Sequence, residues 1–155
     1  MDELEPPSWR ALEYVKQLVQ KIRPSAGYLT TIGDGLIVLE DDQAVEAGND
    51  VPVTFIEAQD FDTTSATHAR TVSEVSVLIE FNIPFDAGID NPKRLAHRGR
   101  YDLVRALMVK VTDLPGFVTS LAIDGGRLLS TTDEQAGTRF AIAQVTARVG
   151  LTETK

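Results

Sequence analysis

The chain has 155 residues, 43% apolar and 25% charged, the size and balance of one globular domain able to bury a core. Twenty-three acids against fifteen bases leave a net charge of −8, which opposes a protein built to grip nucleic acid, because phosphate binding needs clustered cations. The absence of cysteine excludes disulfides, thiolate nucleophiles and Cys-ligated zinc or iron–sulfur centres, and fits a reducing compartment. The opening Met1-Asp2-Glu3-Leu4-Glu5-Pro6-Pro7 is acidic where a signal peptide is basic and then apolar, and no apolar run reaches membrane-spanning length. The expectation is one soluble domain over residues 1–155, without a membrane partner.

Trp9, Leu12, Val15, Val19 and Ile22 recur every three or four residues, predicting a first helix capped by Ser8 and stopped by Pro24 and Gly27. Gly27 to Gly35 is a turn-rich connector that leads into an apolar strand, Leu36 to Leu39. An acidic loop, Glu40 to Asp50, precedes a second strand from Val51 to Ala58, interrupted early by Pro52. Residues 59–71 are polar and predict an exposed, mobile loop. Val75, Val77, Ile79, Phe81, Ile83 and Phe85 alternate without error, so this strand buries one face, and Pro84 places its end at an unpaired or edge position.

A second helix starts at an Asn91 cap with Pro92 in the first helical position. Leu95, Leu103, Val104, Leu107, Met108 and Val111 form its expected inner face. Gly99 weakens the middle of this helix by about 1 kcal/mol relative to alanine, so a close neighbour should require it. Val118–Ile123 and Arg127–Thr131 flank Asp124-Gly125-Gly126 as the arms of a hairpin do. The last strand, about Arg139 to Leu151, changes apolar parity between Phe140/Ile142 and Val145/Ala147/Val149/Leu151, predicting a β-bulge within it. The predicted fold class is α+β, with two helices packed on a mostly antiparallel sheet and a β-hairpin extension.

Charge is polarised along the chain: residues 1–62 hold thirteen acids and four bases, residues 63–112 five acids and seven bases. The acidic loop lacks the central Gly and closing Glu of a calcium-binding loop. His68 and His97 stand apart, and His97 lies among Lys93, Arg94, Arg98 and Arg100, whose charge disfavours a bound metal. There is no Gly-x-Ser-x-Gly elbow, and Gly33-Asp34-Gly35 feeds a strand, whereas phosphate loops feed a helix N-terminus. The remaining constellation is electrostatic: Lys93, Arg94, His97, Arg98, Arg100 and Arg105 spread over the outward face of the second helix. Three readings are open. It is a solubilising face balanced by Asp86, Asp90 and Asp102; or it meets the acidic first third of a neighbouring copy, a heterologous contact that can close a ring; or it binds DNA, which the net charge opposes.

The amphipathic first helix ends in Gly27-Tyr28-x-Thr30-x-x-Gly33, the long alternating strand opens towards Pro84, and the second helix is capped by Asn91-Pro92. With the closing Ile142-Ala143-Gln144-Val145-Thr146-Ala147-Arg148-Val149, these features resemble the tail terminator (tail completion) proteins of phages with long, non-contractile tails, over nearly the whole chain. The resemblance implies a small subunit that assembles as a homohexameric ring on the head-proximal end of the tail tube, ends tube polymerisation and offers a surface to the head connector or stopper. It implies a structural virion protein assembled in the host cytoplasm, not an enzyme, with no cofactor and no metal. DNA would pass through its lumen without specific binding, since a net-negative wall denies phosphates a site. On that footing Lys93, Arg94, Arg98 and Arg100 would pair with Glu40, Asp41, Asp42 and Glu46 across the ring seam. The connector and the 59–71 loop would present Tyr28, Thr30, Thr63, Thr64, His68 and Arg70 to the tube. The alternatives are another head–tail joining protein, such as a stopper or minor tail component, and a small-ligand-binding α+β domain.

Overall fold

The computed structural model describes residues 5–40, 51–67, 69–133 and 137–154. Two helices, α1 (Pro7–Gln20) and α2 (Pro92–Leu107), pack on one five-stranded sheet of order β1-β2-β3-β5-β4. The strands are β1 (Leu36–Leu39), β2 (Val53–Ala66), β3 (Arg70–Pro84), β4 (Val118–Asp133) and β5 (Thr138–Thr154). β1 runs parallel to β2, and every other pairing is antiparallel. The architecture is the expected α+β one.

The main core lies between helices and sheet. α1 buries Ala11, Leu12, Val15, Leu18 and Val19, the stripe its spacing dictates, although Ser8 is not the cap: the helix begins at Pro7 behind Pro6, with no side-chain capping bond. α2 begins as expected, with Asn91 Oδ1 accepting from the Arg94 amide. It ends sooner than its apolar pattern suggests. Met108 leaves helical geometry, so Met108 and Val111 are 70% and 77% exposed instead of lining the inner face. Beneath the helices Val75, Val77, Ile79, Phe81 and Ile83 of β3 are buried in strict alternation. A smaller cluster, Val38 and Val53 with Phe55, lies on the other face of the sheet.

Three expected features of the strands are corrected. Residues 59–71 are no loop: β2 continues to Ala66, pairs with β3, and turns back through Thr67, whose amide and hydroxyl both donate to the Arg70 carbonyl. Most of this arm is exposed on both faces, so backbone pairing holds it and no apolar period marks it in the sequence. The expected bulge in β5 is absent. Ala141, Ala143, Val145, Ala147, Val149 and Leu151 are buried without a break in parity, and the β3–β5 register runs without a slip. Phe140 and Ile142 belong to the opposite face, and the core positions beside them are alanines, which let α2 lie close.

Asp124-Gly125-Gly126, read as a hairpin turn, is instead a bulge inside the sixteen-residue β4, where the register against β5 shifts between Ile123 and Gly125. Gly125 carries a φ of 139°, which only glycine adopts readily. A Cβ on Gly126 would stand 2.5 Å from the Gln144 carbonyl oxygen, a backbone atom unable to retreat. Gly126→Ala is therefore expected to lose about 1–3 kcal/mol in chemical denaturation. Gly116→Ala, whose Cβ would meet nothing within 4 Å, should stay within about 0.5 kcal/mol of the parent.

Candidate functional site

Side-chain hydrogen bonds join the Gly27–Gly35 connector to α2. Asp102 is fully buried although it sits on a helix rich in bases. Its carboxylate accepts the Leu29 amide at 3.1 and 3.0 Å, the Thr30 amide at 2.7 Å and the Thr30 hydroxyl at 2.7 Å. Arg105, one turn further on, donates to the Gly27 carbonyl at 3.0 Å and lies over the rings of Tyr28 and Tyr101, 5.1 and 5.5 Å from their centroids. Two side chains of α2 thus grip both ends of Gly27-Tyr28-Leu29-Thr30. Gly33 completes the attachment by donating its amide to the Ile22 carbonyl at 2.7 Å.

This geometry corrects two expectations. Asp102 faces inward and takes no part in balancing the outer basic face. Thr30 is buried, with amide and hydroxyl both committed to Asp102, so it offers nothing to a partner. Asp102 was missed as a functional candidate, although it lies three residues beyond Gly99 and four before Ala106, on the face both of them bury. That helical spacing was the available signal.

Lys93, Arg94, His97, Arg98, Arg100 and Arg105 are all exposed along α2. Among the described residues none of these six forms an ion pair. Apolar surface accompanies them: Tyr101 and Leu29 are 54% and 53% exposed, and Met108 lies beyond the helix end. Exposed Tyr, Arg and Met in one stripe is the composition that distinguishes protein interfaces from ordinary surface.

Of the acids expected to face these bases, Glu40 is exposed and spends one carboxylate oxygen on the Ala58 amide at 2.8 Å; Asp41, Asp42 and Glu46 lie outside the described residues. Of the residues assigned to a tube contact, Tyr28 is half-buried beside Arg105, whereas Thr63 and Arg70 are exposed on the β2–β3 arm. Arg70 Nε donates to Thr152 Oγ1 at 2.9 Å. His68 and the side chain of Thr64 lie outside the described residues. The structure therefore places Tyr28 in the connector against α2 and Thr63 and Arg70 on the arm, and does not gather them into one patch.

A cavity of about 550 Å³ opens between the connector, the start of β2 and α2, walled by Phe81, Ile89, Leu95, Thr31, Thr54 and Asp34. Among the described residues Asp34 is its one ionisable group, and it is paired with Arg23 at 3.3 Å. Among the described residues no three His, Asp or Glu side chains converge as a metal site would require, and no helix is long and apolar enough to cross a membrane. No family model matches the chain, and no curated protein matches it as a relative.

Proposed function

We propose that the chain acts by self-association, as a structural subunit that closes a homohexameric ring and serves as the tail terminator of a phage with a long, non-contractile tail. In that role the ring caps the head-proximal end of the tail tube, stops its growth and offers its other side to the head connector, while DNA passes through a lumen that does not bind it. The protein resides in the virion tail and needs no cofactor. One observation carries the reading: the α2 stripe is an exposed basic and apolar surface whose charges have no ion-pair partner among the described residues of their own chain. Acids concentrated in the first third of the sequence supply the complement, with Glu40 and residues 41, 42 and 46 as the seam partners. A contact between unlike patches of identical copies is heterologous and closes only as a ring or runs on as a filament. Thr63 and Arg70 remain the arm's candidates for the tube, together with the edge of Tyr28.

The test is imaging of the protein mixed with assembled tail tubes: density capping one end is expected, and uniform decoration or none overturns the assignment. Reversing charge in Arg98→Glu/Arg100→Glu should weaken the ring and steepen its salt sensitivity, because exposed charges act over about 8–10 Å at ordinary ionic strength. Sedimentation unchanged at low salt would remove both arginines from the seam. The cavity favours a second reading, a small-ligand-binding domain, which light scattering separates from the first: a ligand-binding domain stays monomeric with or without tubes.

A further inference from the structure

We infer that the neighbouring copy presents Asp60 and Asp62 of its β2–β3 arm to the α2 stripe, so that the seam is an acidic arm laid on a basic helix. The inference rests on the ring reading above and gives the stripe these arm acids as partners beside Glu40 and residues 41, 42 and 46.

The arm is an exposed acidic surface of this chain. Asp60, Phe61 and Asp62 are exposed, Phe61 by 49%. Asp60 pairs in register with Ser76 and Asp62 with Glu74, while Phe61 pairs with the buried Val75. Side chains alternate along a strand, so the two aspartates point to the face of the sheet away from the helices. Neighbouring acids are already engaged: Glu74 is 3.6 Å from Arg148, which also holds Asp124 at 2.6 Å, and Glu80 accepts from Gln144 at 2.8 Å. Among the described residues Asp60 and Asp62 have no ion pair.

Arm and stripe cannot meet within one molecule. Gly99 of α2 lies over Phe81, whereas Asp62 stands opposite Glu74, seven residues back along β3, or about 23 Å at the rise of a strand. They also occupy opposite faces of the sheet. A positive surface at one end and a negative one at the other suits head-to-tail contact between copies, with Tyr101, 54% exposed beside the bases, as the apolar part of the stripe.

The test is a charge swap read by sedimentation at low salt and by capping of tail tubes. Asp60→Lys/Asp62→Lys and Arg94→Glu/Arg98→Glu should each weaken ring formation by about tenfold per seam. All four changes in one chain should bring association back to within about threefold of the parent, because the pairing is restored with its signs exchanged. Phe61→Ser, on the opposite face of the arm, should leave ring formation within about twofold of the parent. All these side chains are exposed, and circular dichroism verifies that each variant folds. Parent-like rings from Asp60→Lys/Asp62→Lys, or no recovery in the fourfold variant, overturn the inference and leave the ring reading standing. Rings that survive Arg94→Glu/Arg98→Glu while tube capping is lost assign the stripe to the tube and likewise overturn it. A parent chain that forms no ring, alone or on tubes, removes both.

Discussion

Asp102→Ala should lose about 3–5 kcal/mol of folding stability, because it strands three donors that have one common acceptor. The Leu29 amide bridges both carboxylate oxygens, and the amide and hydroxyl of Thr30 share the second. Alanine leaves a buried pocket with donors facing no oxygen, and each unsatisfied donor costs about 1–3 kcal/mol. Asp102→Asn should recover only part of the loss, since one of its two terminal atoms is a donor turned towards donors. Thr30→Val removes a single charge-assisted bond and should cost about 1.5–3 kcal/mol. In the double variant the two losses should not add, because the hydroxyl has nothing left to donate to once the carboxylate is gone. Denaturant titration of the four proteins measures the coupling. A loss below about 1 kcal/mol for Asp102→Ala would show that the connector is not held by this carboxylate.

Gly99→Val should be nearly as damaging, at about 3 kcal/mol or more. A Cβ at this position would overlap Phe81 Cδ2, with Cε2 at 2.8 Å and Ile32 Cδ1 at 3.4 Å. Phe81 is 4% exposed and sits in the central strand under the helix, so its ring can yield only by turning towards the cavity it walls, at the cost of its own packing. Gly99→Ala sets the two effects against each other: helix propensity favours alanine by about 1 kcal/mol, and the overlap costs about 1–3 kcal/mol. The balance should be a net loss. The diagnostic is rescue. Phe81→Leu alone leaves a cavity, but combined with Gly99→Ala the new methyl fills part of it, so the double variant should be more stable than the sum of the single changes predicts. Strict additivity would mean that Phe81 does not dictate the glycine.

Local patterns carried much of this fold. The α1 stripe, the Asn91-Pro92 start of α2 and the alternation of Val75 to Ile83 each express a period that burial on one face imposes, and each is present in the structure. Even the need for closeness at Gly99 was legible, because a glycine inside a helix otherwise only weakens it. The misreadings share a cause. The β2–β3 arm and β4 are built from backbone pairing with little burial, so they lack a period and resemble a loop and a turn. The β5 core positions are filled in part by alanine, whose small size weighs less in a pattern than the Phe140 and Ile142 of the other face. Of the candidate site, the exposed bases of α2 were visible as charge along a helix, whereas the arm acids were hidden in a segment taken for a mobile loop.

Residue spacing alone prescribes the α+β class, the two helices and the buried face of the central strand, and composition makes the chain net-negative with bases gathered on α2. Those properties depend on residues close together in the chain, whose spacing records which side meets water. It takes the folded chain to bring Asp102 onto Leu29, 73 residues back, to make Asp124-Gly125-Gly126 bend a strand instead of ending it, and to turn the arm aspartates to the face of the sheet opposite the basic helix. Each depends on groups distant in sequence meeting in space, and no local period encodes such a meeting.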